Sequence, residues 1–508
     1  MNQGNRRANR ITCFRIDSHM ADCFEIAAMF SLKLLRSKFK LFISTSRMIN
    51  NYQSNPLIII FGATGCGKTR LSLELAKHFP VEIISADSMQ IYKALDIATN
   101  KASQQERNSV SHHLIDIIEP FESFNVRNYQ ILALKCIDDI IARNKYPIVV
   151  GGTNYYIESI IYHNLIDSES VPFSNQQTIS SSVRETIENQ SRKIFPIDTV
   201  EELLSIKITT QNLKCTSNEK LHKFLSCIDP RSAEILHIND RRKIIRSLQV
   251  FQQTGHSMSE ILDEQRSRGS KHGGPLRFEN SIILWLDCEK EVLEKRLDKR
   301  VDDMIEDGLI QELITFHENY NQKRLDQDEN IDYTEGIFQT IGLKEFHQYL
   351  VMDQNDRDSP QGRLKLENGI ELFRQRTKGY VNKQLKWLRR RFLIDDQIRK
   401  VPNVYRLNTT NLDEWNENVL EKAIMIVQKS IEVIKSDDVE RKERIIEEFL
   451  NPIRFKKLSA ENSDEAFISG KFYCDICNLT CSGGKSFKEH LQSKRHRFHM
   501  KSLNHDSN

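Results

Sequence analysis

This 508-residue sequence has no long apolar run, and its cysteines do not form the pattern of a disulfide framework. No stretch approaches the ~18 consecutive apolar residues that a membrane-spanning helix requires, so we expect no membrane partner. Seven of the ten cysteines are scattered along the chain, and the other three lie together near its C-terminus. This distribution is typical of a chain from a reducing compartment that carries one metal site.

A strong charge of one sign and internal repeats are missing as well. Charged residues make up 28% of the sequence, but the formal net charge is only +3. Any basic surface for an acidic partner must therefore be local. The length allows about three domains and a large hydrophobic core.

The most informative segment is residues 62–69, called the phosphate loop below. It follows an apolar run, precedes a helix-forming run, and matches the pattern G-x-x-x-x-G-K-[ST]. Glycines let successive backbone N–H groups face inward, and the N-terminus of the next helix adds positive potential. Lys68 supplies a cation for phosphates, and Thr69 supplies a hydroxyl for Mg²⁺. The segment predicts a polyphosphate site without identifying the polyphosphate.

Strand-like and helix-like segments alternate around this loop. Apolar runs at 57–61, Val81–Ser85 and 147–150 are separated by helical periodicity, and Ser281–Asp287 returns the chain to the sheet. This rhythm predicts an α/β fold with a parallel sheet core and a helical insertion domain, and the Cys/His spacing described below adds a small C-terminal ββα zinc finger. The predicted boundaries are 1–50 for an N-terminal extension, 51–165 and 281–400 for the core with a basic helical region, 166–280 for the helical insertion, 401–465 for a charged linker or surface helix, and 466–508 for the zinc finger.

Polar residues follow two of the apolar runs, at the edge where a parallel sheet binds its ligands. Asp87 lies just past Val81–Ser85. Its carboxylate can hold Mg²⁺, act as a general base, or cap a helix. The segment 151–154 follows the run 147–150; its glycines allow a ligand to approach closely, and Thr153 adds a hydroxyl.

Two basic stretches follow. Arg242 and Arg246 are spaced to share one helix face, with Lys243 beside them. Such a pair can clamp phosphates, or it can form an ordinary solvated face. The stretch 374–400 is basic and contains three aromatic residues, which can be helix core.

The spacing of Cys474, Cys477, His490 and His496 is C-x₂-C-x₁₂-H-x₅-H, which is typical of a Cys₂His₂ zinc site. The unit is too small to fold on its own core, so we expect structural Zn²⁺ to fold it. Basic residues on its helix favour nucleic acid, and a solvated charged face accounts for them almost as well.

Residues 1–50 carry nine Arg/Lys and three Asp/Glu. This composition is that of a mitochondrial transit peptide, or of a leader that a translation start at Met48 would omit. We expect a location in the mitochondrion, the cytoplasm or both, with the nucleus as a third option.

Taken in order, these motifs resemble the tRNA dimethylallyltransferases, also called tRNA isopentenyltransferases. The likeness runs from about residue 56 to residue 400, and the zinc finger resembles that of the eukaryotic members. It rests on the phosphate loop, 87–92, 112–116, 147–156, Asn239 and Asp240 with the basic helix after them, and 374–387.

The resemblance implies that the phosphate loop binds dimethylallyl diphosphate with Mg²⁺, and not ATP. The dimethylallyl group would pass to N6 of the adenosine 3′-adjacent to the tRNA anticodon, with release of diphosphate. The partners would be this donor and the tRNA anticodon stem-loop, and we expect a monomer. The implied catalytic residues are Asp87 as general base, Thr64 and Arg246. The implied diphosphate-binding residues are Gly62, Ala63, Thr64, Gly65, Cys66, Gly67, Lys68 and Thr69. The implied tRNA-binding residues are Asp87, Ser88, Met89, Gln90, Thr153, Arg242, Lys243, Ile244, Ile245 and Arg246.

Lys243 and Asn154 depart from this pattern, since many relatives carry Arg and Gly there. Three other functions fit part of the sequence: an adenylate prenyltransferase that uses free nucleotide, a small-molecule kinase with Asp87 on Mg²⁺, and a non-catalytic RNA-binding protein. The zinc finger and the basic stretch weigh against the first two, because a small substrate needs neither. The intact phosphate loop weighs against the third.

Overall fold

A six-stranded parallel sheet lies at the centre of the protein, in the strand order β3-β2-β4-β1-β5-β7. The computed structural model describes residues 55–163, 208, 212–213, 215–267, 276–322, 333, 335–395, 401–450, 455–456, 471–474, 476–477, 479–482, 490–493 and 496–497. The sheet strands are β1 Leu57–Gly62, β2 Val81–Ser85, β3 His112–His113, β4 Tyr146–Val150, β5 Ser281–Asp287 and β7 Asn403–Asn408. The short strands are β6 Ile394–Asp395, β8 Phe455–Lys456, β9 Lys471–Cys474 and β10 Leu479–Ser482.

Helices cover both faces of the sheet. This is why β1 is apolar at successive positions: Ile59 and Phe61 enter the core on one face, and Ile58 and Ile60 enter the core on the other. The helices before β5 are α1 Lys68–Leu75, α2 Gln104–Ser109, α3 Val126–Ala142, α4 Asn154–Ile161, α5 Asn218–Ile228, α6 Pro230–Ile235, α7 Arg241–Thr254 and α8 Met258–Ser267. Those after it are α9 Lys290–Glu306, α10 Leu309–Phe316, α11 His347–Leu350, α12 Gln354–Arg357, α13 Pro360–Leu388, α14 Glu421–Lys435 and α15 Val439–Phe449.

The described part of the insertion is helical and has a core of its own. Leu221 and Phe224 from α5 pack with Ile244, Ile245 and Leu248 from α7. Each helix places its apolar residues three or four positions apart, which directs them to one face. The described part of the insertion therefore has a hydrophobic core separate from the two cores that flank the sheet.

The structure corrects one of the two alternatives predicted for 401–465, the charged linker, whereas the helices α14 and α15 agree with the other, a surface helix. Strand β7 pairs in parallel with β5 and forms an edge of the sheet. Beyond it, Trp415 is 1% exposed and joins the core that contains α1. Many charged residues of the described part of this segment lie on the outer faces of the amphipathic helices α14 and α15, so its composition resembled that of a linker.

Two predicted helices have different limits in the structure. The helix after β5 ends at Glu306, because Gly308 adopts a left-handed backbone (φ 101°) and a new helix begins at Leu309. Within the basic stretch 374–400, residues 374–388 lie in α13, which begins earlier, at Pro360, and residues 389–393 form the π-helical turn Arg389–Leu393 that follows it. Within this π-helical turn, Phe392 is 1% exposed and belongs to the hydrophobic core, which is the role that the sequence allowed for the aromatic residues of this stretch.

Several predictions fall on parts of the chain outside the described residues. These are the N-terminal extension 1–50, the first part of the predicted insertion at 166–207, and the end of the segment 401–465 at 457–465. Among the helices that are described, none combines the length and the apolar character needed to cross a membrane.

Candidate active site

The phosphate loop joins β1 to α1 and curls around its own lysine. Lys68 Nζ donates to the carbonyl oxygens of Gly62 (3.0 Å) and Ala63 (2.9 Å). Burial lowers the pKa of Lys68 to about 8, while the Cys66 thiol and, more weakly, Asp87 act in the opposite direction. Cys66 itself is 2% exposed, and burial raises the pKa of its thiol to about 11. Cys66 therefore contributes its backbone to the loop.

Gly67 needs to be glycine for two reasons. Its φ of 87° lies in the left-handed region, and a Cβ there would be 2.7 Å from Cη2 of Trp415. The Trp415 ring is fixed behind the loop, because its Nε1 donates to Glu74 Oε2 (2.6 Å) and Arg70 lies 4.3 Å from the ring centroid. The late-chain residue Trp415 thus supports the start of α1.

Replacing Gly67 with alanine should reduce turnover strongly and lower the melting temperature. Left-handed strain and overlap with Trp415 together cost about 2–4 kcal/mol if the loop keeps its shape, and the loop shifts if it does not. Steady-state kinetics and thermal unfolding measure the two effects. The control for the melting temperature alone is Gly379→Ala in α13, where an added Cβ meets no atom within 4 Å and the melting temperature should not fall. An unchanged melting temperature in Gly67→Ala would contradict the support by Trp415.

Asp87 lies past the end of β2, next to the phosphate loop. Its Oδ1 accepts from Met89 N–H (2.9 Å), and backbone N–H groups of Gln90 and Gly152 also stabilise the carboxylate. Burial raises the pKa of Asp87, and these N–H groups and Lys68 lower it only in part. A carboxylate with a raised pKa is suited to accept a proton.

The loop after β4 closes the site on the other side. Thr153 Oγ1 accepts from Ser88 N–H (3.0 Å), so it fixes the segment that carries Asp87. A Cβ on Gly151 would lie 2.2 Å from Ala86 O, and a Cβ on Gly152 would lie 3.2 Å from Asp87 Oδ2. The glycines allow the two strand ends to approach this closely.

Two cavities meet at these residues. The first, of about 520 Å³, is lined by Gly65, Gly67, Lys68 and Thr69 of the phosphate loop, and also by Gln90. The second, of about 320 Å³, is lined by Met89 and by apolar and basic side chains of later segments, among them Ile341, Phe373, Arg376, Tyr380 and Lys383. Residues common to both linings are Thr64, Asp87, Thr99, Arg300 and Met304.

Arg300 is a cation at the junction of the two cavities that the sequence analysis did not identify. It lies on α9, is half-buried, and lines both cavities. Burial lowers its pKa and the Asp87 carboxylate raises it, so the guanidinium stays charged beside the carboxylate. A signal was available: α9 follows β5 directly, so its first turns begin at the same sheet edge as the phosphate loop.

The structure separates the predicted residues of α7 from this junction. Arg242, Lys243 and Arg246 are exposed, and Lys243 forms an ion pair with Asp240 (3.1 Å). Arg246 was implied as catalytic, but it is not among the residues lining either cavity. Ile244 and Ile245 were implied as tRNA-binding, but they are 0% and 4% exposed and their side chains form the insertion core.

A second cluster of functional residues lies near the C-terminus. The ligand atoms of Cys474, Cys477, His490 and His496 all lie within 4.8 Å of one another. In a tetrahedral site with Zn–S of about 2.3 Å and Zn–N of about 2.0 Å, ligand atoms lie about 3.5 Å apart. Both Cys474 Sγ and Cys477 Sγ are 3.4 Å from His496 Nδ1. The donor set and its spacing therefore fit structural Zn²⁺.

The protein combines a parallel sheet, a glycine-rich loop between a strand and a helix, and a carboxylate at the same sheet edge. These features define an α/β enzyme with a glycine-rich loop at its active site. An IPP transferase family model matches residues 90–391, an isopentenyl transferase model matches 55–117, and a model for a zinc-finger of C2H2 type matches 472–496. The chain therefore belongs to the tRNA dimethylallyltransferase family, and the family and fold class predicted from the sequence are confirmed.

Individual relatives extend this likeness over most of the chain. The tRNA dimethylallyltransferase of Mus musculus is 39% identical over 449 residues, covering 88% of this chain and 86% of its own length. The Saccharomyces cerevisiae enzyme of that name is 32% identical over 460 residues, covering 88% and 92%. A crystal structure of a eukaryotic dimethylallyltransferase acting on tRNA matches with a TM-score of 0.65 at 29% identity, covering 89% of this chain and 98% of that one.

Proposed function

We propose that this enzyme transfers the dimethylallyl group of dimethylallyl diphosphate to N6 of the adenosine 3′-adjacent to the tRNA anticodon, with release of diphosphate. The observation that carries the proposal is the junction at Thr64, Asp87 and Arg300, where a phosphate-loop cavity meets a second cavity with apolar walls. A transferase needs this arrangement, because donor and acceptor must meet at one point while entering from different sides.

The donor occupies the first cavity in this proposal. The bond between the allylic carbon and the diphosphate oxygen breaks, and negative charge accumulates on the leaving diphosphate. Backbone N–H groups of the phosphate loop and the Lys68 ammonium stabilise that charge. Thr69, which lines the same cavity, would hold Mg²⁺, which neutralises diphosphate charge when it is bound.

The acceptor adenine occupies the second cavity after it has left its stack in the anticodon loop. Its N6 forms the new bond to the allylic carbon, and Asp87 takes the N6 proton. Met89 and Phe373 supply apolar walls for the base, and Lys383 lies at the same cavity. The carboxylate, stabilised by three backbone N–H groups, is ionised before the reaction and neutral after it.

Exposed cations provide the grip on the anticodon stem. Arg242, Lys243 and Arg246 are exposed on one helix, and Arg389 and Arg390 are exposed at the end of α13. Contacts from such side chains to phosphates add affinity without reading sequence. The zinc finger adds a further basic element, and we propose that the protein acts as a monomer.

Replacing Cys474 with serine should remove zinc and weaken tRNA binding while leaving the chemical step largely intact. A three-ligand site holds zinc much more weakly, and the finger folds only around the metal. Metal analysis should fall from about one zinc per chain to none. Cys481→Ser is the matched control, because the spacing leaves Cys481 outside the ligand set. Full zinc content in Cys474→Ser would contradict the assignment.

We propose that residues 1–50 direct the chain to mitochondria and that a start at Met48 yields a cytoplasmic or nuclear form. The basic, acid-poor composition of the segment supports this division. Fluorescent fusions that begin at Met1 and at Met48 test it. Identical distributions of the two fusions would contradict it.

The decisive experiment uses dimethylallyl diphosphate labelled in the allylic group, with total tRNA and free ATP and AMP as parallel acceptors. Label in tRNA alone supports the proposal, and mapping it to N6 beside the anticodon completes it. Label in free nucleotide would identify an adenylate prenyltransferase. ATP hydrolysis without transfer of label would identify a kinase-like activity.

A further inference from the structure

Gln384 joins the two loops of the active site, although it is not among the residues lining either cavity described above. Its side chain extends from α13 and is 5% exposed. Its Oε1 accepts from Thr64 N–H in the phosphate loop (3.1 Å). Its Nε2 donates to the Gly152 carbonyl oxygen in the loop after β4 (2.9 Å). One buried amide therefore satisfies one backbone group in each loop.

Through Gly152 this bridge reaches Asp87. The Gly152 N–H stabilises the Asp87 carboxylate, and the Gly152 carbonyl accepts from Gln384 and from Tyr380 OH (3.2 Å). A Cβ on Gly152 would lie 2.8 Å from Gln384 Nε2 and 3.2 Å from Asp87 Oδ2. Gly152 is thus held by side chains of α13 on one side and by the Asp87 carboxylate on the other.

The helix that carries Gln384 is itself fixed. Asn154 Nδ2 donates to the Gln384 carbonyl oxygen (3.1 Å). Two turns earlier, Lys378 Nζ lies 2.7 Å from Asp298 Oδ1 of α9, the helix that carries Arg300. The bridge is therefore anchored to a rigid element, which is what a positioning group requires.

We propose that Gln384 is a positioning residue that sets the separation between Thr64 and Asp87, and hence between the diphosphate leaving group and the base. A carboxamide offers a donor and an acceptor in fixed geometry, so it can hold two loops in register. The inference rests on the proposed function for its catalytic consequence. The bridge itself rests only on the contacts above.

The test compares Gln384→Met with Gln375→Met. Methionine keeps the length of the side chain but loses both hydrogen bonds. Gln375 is exposed on the same helix and bonds only to Glu371 in the described structure, so it controls for the substitution. We expect kcat of Gln384→Met to fall about 100-fold with tRNA affinity within about twofold, because misplacement near 1 Å costs this much. Gln375→Met should match the wild type.

The variant Gln384→Glu provides a second measurement, the pH dependence of its kcat. A purely structural role of Gln384 would not predict this dependence. An ionised Glu keeps the acceptor for Thr64 N–H but cannot donate to Gly152, whereas a protonated Glu can do both. The ratio of variant to wild-type kcat should therefore rise as the pH falls from about 8 to about 6, since the donor is restored. The ratio cancels the titration of Asp87 and other groups shared by both proteins. A ratio independent of pH would contradict the donor role.

Binding of inorganic diphosphate, measured by calorimetry, separates this inference from the proposed function. If the wild type transfers no label to tRNA but Gln384→Met still binds diphosphate several-fold more weakly than Gln375→Met, the bridge stands and the function fails. If the wild type is active and Gln384→Met matches Gln375→Met in kcat, KM and diphosphate affinity, the positioning role is overturned.

Discussion

Replacing Asp87 with asparagine should reduce transfer to tRNA by about 10³-fold while tRNA affinity changes little. Asparagine keeps the shape and the acceptor for Met89 N–H, but it cannot take a proton from N6. General-base contributions of 10²–10⁴-fold set the expected size. Single-turnover transfer at saturating donor measures the effect, with filter binding for tRNA. Asp437→Asn, an exposed aspartate, serves as the control.

The wild-type pH profile provides an independent check on Asp87. Its pKa is raised by burial, so kcat/KM should fall on the acid side at a pH above the range usual for aspartate, as the carboxylate is protonated. The residual activity of Asp87→Asn should lack this acid limb. If that variant loses tRNA binding instead, Asp87 reads the RNA or supports the loop, and the base lies elsewhere.

Contiguous segments of this fold could be predicted because their signals are local. Strands β2 and β5 have the predicted limits, and β1 and β4 differ from them by one residue. A strand covered on both faces forms a nearly continuous apolar run, and such a run is visible without knowing its neighbours. The phosphate loop is equally local, since its glycines and lysine lie within eight positions.

The parts that were missed depend on distant pairings. Trp415 donates to Glu74 across 341 positions, and Gln384 accepts from Thr64 across 320. Nothing in the composition of 401–450 indicates that it completes the sheet. The resemblance to the family also transferred whole segments, so it implied RNA contacts for Ile244 and Ile245. Helical periodicity turns these two residues inward between the exposed Arg242 and Arg246.

Replacing Lys68 with methionine should lower kcat/KM for dimethylallyl diphosphate by about 10²–10³-fold, because the site loses a buried cation that stabilises the leaving diphosphate. We also expect Lys68 to affect the pH dependence of wild-type kcat/KM, which reports on the free enzyme. Its Lys68 pKa of about 8 means that the ammonium is lost as the pH rises, so wild-type kcat/KM should fall above about pH 8. The methionine variant should lack this alkaline limb.

Lys422→Met is the matched control, since Lys422 is exposed on α14 and is not among the residues lining either cavity. It should keep the alkaline limb of the wild type. Persistence of that limb in Lys68→Met would assign it to another group. If kcat/KM falls only when tRNA is the varied substrate, Lys68 acts on the acceptor and not on the diphosphate. The alkaline limb assigned to Lys68 and the acid limb assigned to Asp87 therefore report the donor and acceptor halves of one junction separately.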